Sequence, residues 1–234
     1  MEESFYRSFL ESVAEKEKQL AILIDPDKFV ISEIKSFLNK TPKKTTHLFV
    51  GGSSVAHGKT EETVKALKAE TKLPIFLFPG DYSQITSFAD ALLFLTLLSG
   101  RNAEYLVGQQ IKSISKLKNS NLEIISTGYI LIDGGNDSAV SKVTKTEPLS
   151  QKNIEVIVHT ALAGQFMGAK LIYLEAGSGA KFPVKTEIIS EVKKTINIPL
   201  IVGGGIKTES QKQAAYNAGA DMVVMGTVFE DLKT

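Results

Sequence analysis

The 234-residue chain contains no cysteine, which excludes disulfides, thiolate metal sites and a cysteine nucleophile. It also lacks a surplus of either charge. Lys plus Arg number 27 against 26 Asp plus Glu, a formal net charge of +1. That is too little for a global field that would grip a nucleic-acid backbone, so no nucleic-acid partner is expected. Long apolar runs are missing too. The longest mostly apolar stretch, Ala89 to Leu98, is about half what a membrane-spanning helix needs. The segment from Met1 to Lys18 is charged and lacks the apolar centre of a secretion signal. A soluble, cytoplasmic protein is the expectation.

What the chain does contain is a repeated alternation of apolar runs and amphipathic stretches. Runs at 20–24, 47–50, 75–78, 91–95, 123–132, 170–174, 199–202 and 221–225 read as strands. Their near-continuous apolarity suits parallel strands covered on both faces. Helical periodicity fits 31–39, 60–70, 104–118, 152–167, 185–195 and 209–218. This is the pattern of one (β/α)8 TIM barrel, and the length suits a single domain over residues 1–234. One slot is short. Between Phe78 and Ala91 too few residues remain for a full crossover helix with its turns. The barrel is therefore expected to be modified, with its third helix replaced by a loop or short extended segment. Residues 1–19 are expected to add an N-terminal helix, with Phe5, Phe9, Leu10 and Val13 on its inner face. Gly134 to Ser150 is polar and reads as a mobile loop over the end where barrel ligands bind.

Three of the last runs stop at glycines: Gly177-Ser178-Gly179, Gly203-Gly204-Gly205 and Gly226-Thr227. Without Cβ atoms, backbone N–H groups can close on an anion, and a following helix start adds its positive dipole end. A phosphate cradle at the strand ends is the implication. Asp25 follows the first strand and Ser53 the second. A hard cation such as Mg²⁺ takes a few such oxygens and completes its shell with water and phosphate. Asp25 is read either as that ligand or as a helix cap. Tyr173 and Glu175 are two apart on a strand and share a face. Glu175 then serves either as general base to a bound hydroxyl or as a buried ion-pair partner. His47, His57 and His159 share no spacing and read as bystanders. Lys28, Lys59 and Lys207 lie near the same loops, and their contact with a diphosphate is left open.

The segments Leu23-Ile24-Asp25-Pro26-Asp27-Lys28, Val50-Gly51-Gly52-Ser53, Leu77-Phe78-Pro79-Gly80, Ser126-Thr127-Gly128-Tyr129-Ile130, Tyr173 through Gly179, Ile201 through Ile206 and Val224 through Thr227 together resemble the geranylgeranylglyceryl phosphate synthases and their bacterial relatives. The resemblance implies prenyl transfer from geranylgeranyl diphosphate to the C3 hydroxyl of sn-glycerol 1-phosphate, with release of pyrophosphate, in ether phospholipid biosynthesis. It implies Mg²⁺ on Asp25 and Ser53, with Asp25 and Glu175 catalytic. Glycerol phosphate would lie on Tyr173, Leu174, Glu175, Ala176, Gly177, Ser178, Gly179, Gly203, Gly204, Gly226 and Thr227. The prenyl tail would leave through the gap of the absent helix, near Phe76, Phe78, Tyr82 and Tyr129. Some bacterial relatives with longer donors carry a lysine two residues before the metal aspartate. Leu23 stands there in this chain, which looks like the archaeal-type branch with a C20 donor. A homo-oligomer and transient contact with a membrane surface are further expectations. No DDxxD run occurs, which excludes the helical prenyl synthase site. Two rival readings are another phosphate-binding TIM-barrel enzyme acting on a small phosphorylated substrate and a non-catalytic barrel that binds a phosphorylated ligand.

Overall fold

The computed structural model describes residues 4–226. Eight parallel strands close into a barrel in chain order: β1 Gln19–Ile24, β2 His47–Val50, β3 Ile75–Leu77, β4 Ala91–Leu97, β5 Glu123–Leu131, β6 Leu171–Glu175, β7 Leu200–Gly203 and β8 Met222–Met225. Around them run α1 Ser4–Ala14, α2 Ile34–Lys40, α3 Lys59–Glu70, α4 Gln109–Leu117, α5 Ala139–Thr144, α6 Ile154–Phe166, α7 Thr186–Thr195 and α8 Glu209–Ala218. The strands begin or end within two residues of where their apolar runs do, because buried parallel strands must be apolar on both faces.

Alternation along each strand splits the core in two. Ile22, Leu48, Leu92, Leu174 and Val202 point outward into the layer beneath the helices. Ala21, Phe49, Phe76, Leu93, Tyr129, Tyr173 and Ile201 fill the lumen. Rings dominate that lumen as one connected column. Phe76 meets Phe5, His47 and Phe49 at 5.8, 4.9 and 5.8 Å. Higher up, Phe78 meets Tyr129 and Tyr173 at 5.8 and 5.1 Å, and the two tyrosines meet edge to face at 5.5 Å.

Helix α1 closes the lower end. Phe9 enters the lumen cluster with Phe5 and Val13 beside it, a burial worth about 2–3 kcal/mol for Phe9. Leu10 lies off this face and is exposed. The backbone N–H groups of Phe5 and Tyr6 both donate to the Glu123 carboxylate at 2.7 Å. That carboxylate supplies partners that a helix start cannot find within itself.

Between β3 and β4 a single 3₁₀ turn, Tyr82–Gln84, stands where the third helix would be. The Tyr82 N–H donates to Gln109 at 2.8 Å, and Lys116 donates to the Ser83 and Ile85 carbonyls at 2.9 and 3.2 Å. Neighbouring helix α4 thus holds this bracket by its backbone. The predicted helix over 104–118 is split: Glu104–Gly108 is π-helical and leads into α4. The stretch expected as a loop over 134–150 contains α5 and is tied to the barrel by the Ile132–Leu149 bridge. Among the described residues, no helix is long and apolar enough to cross a membrane.

Candidate active site

The upper ends of β6 and β7 bring the most chemistry together. Tyr173 and Glu175 share the lumen face and are both buried, Glu175 at 5% exposure. Leu174 and Ala176, between and after them, face the helix layer. Within the expected phosphate set, the Leu174 side chain therefore faces away from the lumen, and the Ala176 N–H is bonded to the Gly203 carbonyl at 3.1 Å. The Gly177 N–H is likewise committed, donating to Glu175 Oε1 at 2.7 Å. Ser178 and Gly179 are exposed at the rim and present open backbone there. The next helix, α7, starts only at Thr186, so its dipole end does not follow the turn directly. Helix α8 starts nearer its turn, but its first turn is capped by Thr208 and Gln211. Gly226 lies against Leu23 of β1. Thr227 lies outside the described residues.

Glycine is required at 203 and 204 for contact rather than for φ alone. A Cβ at Gly203 would run into the Tyr173 hydroxyl and lie 2.9 Å from Glu175 Oε2. One at Gly204, where φ is +80°, would strike Glu175 Oε1 and crowd the N–H groups of Ala176 and Gly177. These glycines let backbone close around a carboxylate. Burial pushes the Glu175 carboxyl up to about 7 from an ordinary 4.5, against the pull of the Gly177 N–H and the nearby Tyr173 hydroxyl. That hydroxyl is buried and meets hydrogen-bond geometry with no partner among the described residues. Burial first and the Glu175 charge second hold Tyr173 and Tyr129 protonated, far above the usual phenol range.

Asp25 continues the lumen face of β1 after Ala21 and Leu23. Its carboxylate accepts from the Asp27 N–H at 3.1 Å and pairs with Lys28 at 3.3 Å. It also lies beside Gly52, where a Cβ would come within 3.3 Å of Oδ1. Asp25 thus caps its own turn and still faces the neighbouring loop, so the two alternatives are compatible. Asp27 is structural, taking the Ala56 N–H on both oxygens at 3.1 and 3.2 Å. Among the described residues no group of three or more His, Cys, Asp or Glu could cage a metal. One carboxylate and the Ser53 hydroxyl are hard oxygen donors that suit Mg²⁺ sharing a substrate diphosphate, so the residues fit that ion. Lys59 is paired with Glu62 at 3.0 Å.

A trough leads away from this loop, enclosing about 780 Å³ with its open mouth included. Gly52, Ser53, Phe78 to Tyr82, Ile85, Leu92, Phe94, Tyr105, Val140 and Val143 are among the residues around it. Phe78, Tyr82 and Tyr129 line it. Phe76 does not: it shares the lumen face with Phe78 but packs lower, against Phe5, His47 and Phe49. Tyr129 belongs to both regions, lining the trough and touching Tyr173. His47 is buried in the lumen floor, where desolvation lowers its pKa to about 4, and it stands far from this chemistry.

A model of the PcrB family matches residues 12–233. The chain belongs to the PcrB family. It is 55% identical, over 92% of both chains, to the geranylgeranylglyceryl phosphate synthase of Zunongwangia profunda. It is 51% identical to that of Flavobacterium johnsoniae, over 97% of this chain and 94% of the relative. The crystal structure of (S)-3-O-geranylgeranylglyceryl phosphate synthase from Thermoplasma acidophilum with its substrate sn-glycerol-1-phosphate superposes with a TM-score of 0.91. It is 34% identical, over 97% of this chain and 92% of that one. This PcrB-family barrel is thus more similar to the two bacterial enzymes than to the archaeal one.

Proposed function

We propose that this chain, working as one barrel, is a geranylgeranylglyceryl phosphate synthase. It joins the geranylgeranyl group of geranylgeranyl diphosphate to the C3 hydroxyl of sn-glycerol 1-phosphate and releases pyrophosphate. The observation that carries the reading is Glu175. It is a buried carboxylate with pKa about 7, enclosed by the Gly203–Gly204 turn and next but one to Tyr173, whose ring meets Tyr129 of the trough lining at 5.5 Å.

In this reading the exposed backbone of Ser178 and Gly179, with the turns at Gly204 and Gly226, receives the glycerol phosphate group. Glu175 orients the C3 hydroxyl and accepts its proton as that oxygen bonds to the allylic carbon. The carbon–oxygen bond to the diphosphate breaks in the same displacement, and the electron pair leaves on pyrophosphate. Asp25 and Ser53 hold Mg²⁺, which when bound offsets the charge growing on that leaving group. Tyr173, Phe78 and Tyr129 form a dry aromatic wall around the reacting carbon, where cationic character is favoured by ring faces. The apolar trough takes the C20 tail. The expected place in the archaeal-type branch gives way to the greater similarity to the bacterial enzymes, and Leu23 near the end of β1 is kept only as the argument for a C20 donor. Val107, Ile111 and Ile114 are exposed in a row beside the trough, which supports transient contact with a membrane surface during donor loading.

The test is incubation of the purified protein with labelled sn-glycerol 1-phosphate, Mg²⁺ and an equimolar mixture of C15 to C35 prenyl diphosphates. The expected product is the C20 ether. A C35 ether would overturn the donor assignment, and absence of any ether product would overturn the reaction.

A further inference from the structure

The bracket that replaces the third helix carries a long amide aimed into the protein. Gln84 is 3% exposed. Its Nε2 donates to the Gly52 carbonyl at 2.8 Å, and the Gly52 N–H donates back to Oε1 at 3.3 Å. The pair is complementary in both directions, so only one orientation of the amide satisfies it. Gly52 is the residue whose Cα faces Asp25, and Ser53 follows it. The same bracket is fixed from outside by Gln109 and Lys116 of α4. Gly80 also packs its Cα onto the Gly52 and Ser53 carbonyls, so the two turns cannot move independently.

We propose that Gln84 is a positioning residue that sets the Gly52–Ser53 turn against Asp25 and so shapes the grip on the diphosphate end of the donor. It stands in for the missing helix, doing with one amide what a packed helix does elsewhere in the ring. The inference rests on the assignment of Asp25 and Ser53 to Mg²⁺ and diphosphate.

The experiment measures calorimetric binding of the unreactive S-thiolodiphosphate analogue of the geranylgeranyl donor, with and without Mg²⁺. The proteins are the wild type and Gln84→Met, which keeps the length and loses both hydrogen bonds. Steady-state kinetics and thermal midpoints accompany each. Gln84→Met is expected to bind the analogue in Mg²⁺ about tenfold more weakly, the size of effect that losing a buried hydrogen-bonded pair produces. KM for the prenyl donor should rise alongside, while KM for sn-glycerol 1-phosphate stays within about twofold. Unchanged analogue binding, or equal weakening toward both substrates, overturns the proposal. If Gln84→Met does not fold, Gln84→Glu, which retains an acceptor for the Gly52 N–H, is read by the same criteria. Loss of fold in both variants assigns the residue a structural role and overturns it as well. Wild-type protein that binds the analogue identically with and without Mg²⁺ would instead overturn the metal assignment, and this inference with it.

Discussion

Glu123 and Glu175 are two carboxylates in one lumen, at opposite ends, and nearly equally buried at 4% and 5% exposure. Glu123 accepts two helix N–H groups at 2.7 Å and closes the floor. Glu175 accepts one N–H at 2.7 Å, beside a tyrosine hydroxyl with no partner among the described residues. Burial is therefore not what separates a structural carboxylate from a reactive one. The difference is how completely each is satisfied, since an under-bonded group keeps capacity for a proton or a ligand. The floor is finished within the chain, whereas the rim is left for a substrate to finish.

The sharpest test of this contrast is Glu175→Gln, expected to lower kcat by roughly 10²–10⁴-fold, the usual contribution of a positioned base. Prenyl diphosphate binding should change little, and an equal loss of both would place Glu175 among the structural carboxylates. Next is Asp25→Ala, expected to lose roughly 10²–10³-fold in Mg²⁺-dependent turnover, as when a group stabilising charge on a reacting oxygen is removed. Unchanged rates across a Mg²⁺ titration would remove Asp25 from the metal site.

At the other end, Glu123→Ala should cost about 3 kcal/mol of stability, because it strands two helix N–H groups bonded to a charge. A urea midpoint reads that loss, and kcat of the folded protein should stay within about twofold. A large kcat defect would break the division of labour between the two ends.

The smallest effect is a linkage between pH and stability. Glu175 titrates at 4.5 in the unfolded chain and about 7 when folded, so between those values the folded state holds more protons. Wild-type stability from this group is present at low pH and is lost as pH rises through that window. Glu175→Gln has no such loss. Its stability relative to wild type should grow from pH 5 to 7.5 by on the order of 2 kcal/mol and then level off. A gap that is flat with pH would contradict the raised carboxyl.

Much of this was legible from residues alone. Continuous apolar runs gave the strands because burial on both faces leaves no other option. The short interval between Phe78 and Ala91 announced the missing helix, and Tyr173 with Glu175 followed from period-two alternation. Contacts made across the barrel were not legible. Phe76 and Phe78 look equivalent as a pair on one strand, yet one packs on the floor and the other lines the trough. Their order along β3 shows this only once the barrel's direction and α1 are in place. Leu174 stands in the expected phosphate set between two lumen residues, and its own parity turns its side chain outward. The bond from the Gly177 N–H to Glu175, two residues back, was not legible either, because the chain does not show that the carboxylate folds onto that turn. Gln84 carried no signal beyond being a polar residue in a short linker, since its partner lies 32 positions away.

The dependence of kcat/KM on pH, compared between wild type and Glu175→Gln, probes the central claim most directly. Wild type should lose activity below an apparent pKa near 7 as Glu175 takes up its proton. The variant's residual activity should show no limb there. A limb near 7 that persists in Glu175→Gln would contradict the assignment of proton transfer to this carboxylate.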